Sequence, residues 1–209
     1  MNKSVYSLVL ADDVVEAIDE MAYSMGTSRS NLINQILAEK VSMVTPEMRI
    51  RDMFSLMEKL MDSRFKFMDH PSETMLMAKS PLKYKYKPTI KYNVELFRAI
   101  ENSCVGRLRI SMRTQSGELI NALNNFFAYW IYLEKKYLGT DKLWKTADAN
   151  YEREFYLGED ANVTSEQIAE SISDYVNALD DSIKFYFENM DNKPLVQKEV
   201  LQKYLKLIT

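Results

Sequence analysis

Residues 3–42 read KSVYSLVLADDVVEAIDEMAYSMGTSRSNLINQILAEKVS, and this stretch decides the fold at its end of the chain. From Ser4 to Leu10, Tyr6, Leu8 and Leu10 fall on one side and Val5, Ser7 and Val9 on the other, the period of a strand. Asp12 and Asp13 follow, acidic groups where a helix N-terminus favours them. Val14, Ile18, Met21, Ala22 and Met25 recur at helical spacing, and Gly26 can supply the left-handed residue that ends such a helix. Ser28 is placed to cap the next helix, whose apolar stripe is Leu32, Ile33, Ile36, Leu37 and Val41. The pattern predicts strand, helix, turn, helix. A piece this short with one strand cannot satisfy its backbone hydrogen bonds or build a core alone. Pairing strand to strand with a second copy meets both needs and gives a two-fold symmetric body.

With Gly26-Thr27-Ser28-Arg29-Ser30 at the helix junction, residues 3–42 resemble the ribbon-helix-helix family of DNA-binding proteins. The resemblance covers about 40 of 209 residues. It implies a homodimer whose two strands form a ribbon in the DNA major groove, with the second helices' N-termini on flanking phosphates. Carried over residue by residue, Val5, Ser7 and Val9 would face the bases, with Lys3 at the ribbon's edge. Backbone amides around Ser28, Arg29 and Ser30, and the Arg29 side chain, would hold phosphate. Here the chain departs from the family's chemistry. Base readout calls for donors and acceptors, and two of the three groove-facing positions are Val.

Beyond Pro46, Ile50, Met53, Phe54, Met57, Leu60, Met61, Phe65 and Met68 mark a helix of about six turns. Residues 69–81, with Pro71 and Pro81, read as a linker. Lys83–Leu96 alternates Tyr84, Tyr86, Ile90, Tyr92, Val94 and Leu96 against Lys83, Lys85, Lys87, Lys91 and Glu95. Arg107–Arg113 alternates Leu108, Ile110 and Met112 against Arg107, Arg109, Ser111 and Arg113. An antiparallel hairpin with one apolar and one basic face is expected, its seven cations (Lys83, Lys85, Lys87, Lys91, Arg107, Arg109, Arg113) offering a possible secondary anion or DNA contact. Ser116–Leu138 is a strongly apolar helix suited to cover the hairpin's apolar face. Residues 139–162 carry no clear pattern. Thr164 and Gln167 form a capping box that opens a helix bearing Ile168, Ile172, Tyr175, Val176, Leu179 and Ile183, and Pro194 suits the first turn of a last helix.

The net charge of -3 argues against a nucleic-acid partner until it is divided along the chain. Residues 1–44 carry net -3, residues 81–113 net +6 and residues 140–209 net -6. One Cys and one His exclude a disulfide framework and a His/Cys zinc site within one chain. No apolar run approaches the roughly 18 residues of a membrane span, and the start lacks a signal-peptide pattern, so a cytoplasmic location is expected. His70 beside Asp69 has no nucleophile arrangement near it in sequence, Cys104 reads as a loop or packing residue, and the Asn162-Val163-Thr164 sequon reads as a helix cap. No Walker loop, GxGxxG or HExxH is present, so no enzyme, metal or cofactor is expected.

The reading is a helix-rich α+β protein in three parts. Residues 1–44 form a ribbon-helix-helix dimerisation and DNA-binding module, residues 45–80 a connecting helix and linker, and residues 81–209 a basic hairpin packed with helices. The expected function is that of a homodimeric, bacterial-type DNA-binding regulator of transcription, with itself and double-stranded DNA as partners. The alternative is a dimeric interaction or scaffold protein, or a plasmid partition or relaxosome accessory factor, whose ribbon serves mainly to dimerise.

Overall fold

A computed structural model describes residues 5–68, 72–139, 144–158 and 163–208. The chain is α+β, with six helices and one six-stranded antiparallel sheet among the described residues. Cap chemistry sets several helix limits, at Ser28 and the Thr164/Gln167 box as expected and at Thr45, Ser116 and Gly139 besides. Ser28 accepts from the Asn31 amide to open α2 (Arg29–Lys40), and Thr45 accepts from Met48 to open α3 (Pro46–Leu60). Ser116 accepts from Leu119 at the start of α4 (Gly117–Leu138), which Gly139 closes at a left-handed φ of 67°. The Thr164/Gln167 capping box opens α5 (Ser165–Glu188), and α6 (Lys193–Ile208) follows a short turn. Helix α1 (Asp12–Ser24) ends at Gly26, whose left-handed φ lets the Thr27 amide reach back to the Ala22 carbonyl at 2.9 Å.

The sheet consists of β1 (Lys66–Phe67), β2 (Met75–Pro81), β3 (Thr89–Glu101), β4 (Cys104–Met112), β5 (Trp144–Ala147) and β6 (Asn150–Tyr156). Its spatial order is β1-β2-β3-β4-β6-β5. The period-two pattern buries Leu76, Ala78 and Ser80 of β2, Ile90, Tyr92, Val94 and Leu96 of β3, and Leu108, Ile110 and Met112 of β4 on one face. Helices α3 to α6 supply the other side of that core, with Phe126, Phe127, Trp130, Val176, Leu179 and Ile183 fully or almost fully buried. Gly106 is where β4 passes closest to its neighbour. A Cβ there would lie 2.4 Å from the Glu95 carbonyl oxygen, beside a register shift in β4.

Several expectations change. No strand forms over residues 5–10, which pair with no strand of the sheet. The third helix ends at Leu60 rather than running to Met68: the Asp62 amide donates to Asn177 Oδ1 of α5 at 3.1 Å, and the chain turns into β1. The stretch read as a linker holds β2, an interior strand of the sheet. The strand read from Lys83 begins at Thr89, since Tyr86 and Lys87 take positive φ in the β2–β3 turn. The unread region after Gly139 contains the β5–β6 hairpin. His70 and Asn162 lie outside the described residues.

Candidate nucleic-acid interface

The N-terminal unit is covered on few sides. Within residues 5–44 only Ala22, Leu32 and Gln35 are buried. Of the 22 large apolar side chains that are exposed among the described residues, 13 lie in this stretch. The alternation along residues 5–10 survives in the exposure. Val5 and Val9 are wholly open, at 101% and 102%, while Leu8 and Leu10, next to the start of α1, are 53% and 38% exposed. Tyr6 stays open at 87%, furthest from the helix. Ser7 is exposed, and Lys3 lies outside the described residues.

At the α2 N-terminus, Ser28, Arg29 and Ser30 are exposed, as a phosphate contact requires. The first-turn amides of a helix have no partner within it, and Ser28 Oγ occupies the Asn31 amide. The Arg29 guanidinium is already engaged, through Nε and Nη2, with the Asp19 carboxylate of α1. A phosphate would have to share or displace that acid. Gln35 then ties the unit to the rest of the chain: its Nε2 donates to Glu73 (2.7 Å) and its Oε1 accepts from Arg51 (2.7 Å). Arg98 completes this contact with Glu47 at 2.9 Å and Glu73 at 3.4 Å.

The seven cations expected on one basic hairpin face divide into two groups. Arg107, Arg109 and Lys91 lie on the outward side of the sheet, where acids alternate with them. Arg107 donates to Glu95 (3.0 Å) and Glu152 (3.4 Å), and Arg109 to Glu152 (2.7 Å). Burial raises the Glu152 carboxyl, but the two guanidiniums outweigh it and hold the group below its ordinary range. Cross-strand pairs of opposite charge stabilise a sheet and leave little surplus for phosphate. Arg113 is exposed just past the end of β4. Lys83, Lys85 and Lys87 project instead from the β2–β3 turn, where Lys83 meets Glu188 at 3.4 Å and Lys85 meets Glu118 at 3.6 Å.

The turn lysines acquire neighbours that sequence reasoning missed. Arg64, Lys184 and Lys203 join Lys83 and Lys87 around a groove of about 870 Å³. Positions so far apart along the chain carry no local signal of convergence. Behind the groove lies Asp180, its side chain fully buried, bonded by Tyr92 Oη (2.8 Å) and paired with Lys184 (2.7 Å) and Arg64 (3.2 Å). Burial, then the Asp180 charge, pushes the Tyr92 hydroxyl well above its ordinary value, so it stays a donor. Lys184 Nζ also donates to Ser80 Oγ at 2.6 Å. That pair has the makings of a nucleophile and base, but Ser80 is fully buried and the ammonium is held by Asp180.

A second buried cluster joins α4, β6 and α5. Arg153 donates to Glu134 (2.8 Å) and lies over the Tyr175 and Phe155 rings, while Tyr151 donates to Glu134 (2.8 Å). Its groups satisfy one another, as buried charges must. Among the described residues no group of three or more His, Cys, Asp or Glu could hold a metal ion, and no helix is long and apolar enough to cross a membrane. Neither a family model, nor a curated protein, nor a solved structure matches this chain.

Proposed function

We propose that the chain is a homodimeric DNA-binding protein of ribbon-helix-helix type, acting in regulation of transcription. The observation that carries this reading is the apolar N-terminal unit. An alternating segment, residues 5–10, runs without a pairing partner among the described residues into two helices, and most of the exposed large apolar side chains among the described residues collect there. A second copy is the occupant that fits, because the segment's backbone needs an antiparallel strand and its own sequence supplies one of matching pattern. In such a dimer Val5, Ser7 and Val9 lie outward on a two-stranded ribbon, and the exposed α2 N-termini with Arg29 stand beside it.

The charge distribution predicts modest affinity. The described N-terminal residues hold Arg29 and Lys40 against six acids, and Arg29 is paired with Asp19. The same observation favours the second reading, a dimeric scaffold whose ribbon no longer contacts DNA. Fluorescence anisotropy with random and genomic duplexes at two salt concentrations separates the two. The proposal expects salt-dependent binding at micromolar concentrations or tighter, weakened by Arg29→Ala. Absence of salt-dependent binding in that range rejects it and leaves the scaffold.

A further inference from the structure

The groove between the β2–β3 turn and helices α5 and α6 has a volume of about 870 Å³, and its walls are of two kinds. One part is apolar, from Leu82, Tyr84 and Phe185. The rest is cationic, with five Lys and Arg side chains against the carboxylates of Asp181 and Glu188. Three of those cations have their counter-charge. Arg64 is paired with Asp62, Asp180 and Asp181, Lys184 with Asp180, and Lys83 with Glu188. Lys87 and Lys203 have no carboxylate partner among the described residues. These two lysines border one concavity and leave it with positive charge that no carboxylate of the groove offsets.

We infer that this groove binds a phosphate ester carrying a flat ring, of mononucleotide size, with Lys87 and Lys203 meeting the phosphate and Tyr84 and Phe185 flanking the ring. Lysine suits a phosphate as a compact point charge. Concave sites with mostly apolar walls and a few placed polar groups are the usual form of small-ligand pockets. A duplex backbone presents phosphates along a ridge and would leave the apolar wall unused. The inference does not rest on the dimer or on DNA binding.

The test is isothermal titration calorimetry of the full chain with AMP, ATP and inorganic pyrophosphate in about 150 mM salt, where distant charges are screened. Saturable one-to-one binding of AMP or ATP is expected. The Lys87→Ala/Lys203→Ala double variant should weaken it about 3- to 30-fold, the effect of two exposed, salt-screened ion pairs. Lys145→Ala, on the far strand of the sheet, should leave it unchanged, as should Leu8→Asp, which separates this site from the ribbon. Neither Lys87 nor Lys203 supports the core, and an unchanged melting curve confirms that the double variant is folded. The inference is overturned by a lack of saturable nucleotide binding, by equal affinity in the double variant, or by pyrophosphate binding as tightly as AMP. Displacement of nucleotide by a short DNA duplex, with duplex affinity lowered by the same two substitutions, would assign the groove to DNA and equally overturn it.

Discussion

Asp180 offers the sharpest test of how the body of the protein is held together. Its side chain has no exposed surface and serves three partners: Tyr92 Oη at 2.8 Å, Lys184 Nζ at 2.7 Å and Arg64 Nε at 3.2 Å. Replacing it with Ala strands a partly buried ammonium and orphans a fully buried hydroxyl. Breaking a buried ion pair from one side costs about 3–5 kcal/mol, and an unpaired buried hydroxyl about 1–3 kcal/mol more. Two features bring the total to the lower part of that range. Arg64 keeps Asp62 and Asp181, and Lys184 keeps Ser80 Oγ and an 18% exposed path to water. Asp180→Ala should therefore lower unfolding free energy by about 4–5 kcal/mol. Asp180→Asn, which retains an oxygen for Tyr92 but turns an NH2 donor toward Lys184 and Arg64, should cost about 2–3 kcal/mol. Urea denaturation followed by circular dichroism, with the slope checked for constancy, measures both. A loss below about 1 kcal/mol for Asp180→Ala would refute the reasoning, since the carboxylate would then be balancing nothing.

Other expectations are independent of that cluster. Gly106→Ala should cost about 2–3 kcal/mol in the same urea assay, because the new methyl meets the Glu95 backbone oxygen at 2.4 Å and no flexible side chain can yield. The lowered carboxyl of Glu152 implies stability that is present above its ordinary value of 4.5 and is lost as pH falls through the depressed folded value. The gap in unfolding free energy between wild type and Glu152→Gln should thus be widest near neutrality, up to about 1 kcal/mol, and close in acid. Leu8→Asp places a carboxylate twice in the proposed ribbon interface, and sedimentation should show association at least about 1,000-fold weaker than wild type, leaving a 24.4 kDa monomer with an intact body.

Much of the helical half of the fold is legible in the sequence because its signals are local. Gly26, Ser28 and the Thr164/Gln167 box act within about four residues of themselves, and the structure puts helix ends where they stand. The missed strands have inward faces that do not look apolar. In β2 the inward series is Leu76, Ala78 and Ser80, and Ser80 is buried because Lys184 reaches it from α5. In β6 the residue between Tyr151 and Phe155 is Arg153, whose charge Glu134 of α4 matches, so the alternation is broken by an ion pair completed from another element. The turn into β6 is hidden as well. Asp148 and Ala149 both take positive φ without glycine, and Ala149 is held by a bond from its amide to Asn124 Oδ1 at 2.9 Å.

The candidate site divides along the same line. Exposure of Ser28, Arg29 and Ser30 follows from a local cap, whereas the Asp19 partner of Arg29 depends on how α1 and α2 pack. The alternating segment at residues 5–10 shows the limit from the other side: its pattern is plain, yet a strand needs a paired neighbour, and the segment has none among the described strands.

That segment carries the central claim, and the distance between two copies of it tests the claim most directly. A spin label on Ser7→Cys, in a background where the free Cys104 is replaced by Ser, reports the separation by dipolar electron paramagnetic resonance. Strands about 5 Å apart that pair anywhere within residues 5–10 predict one narrow intermolecular distance of about 20 Å or less. A broad distribution, or no intermolecular coupling, would contradict the ribbon.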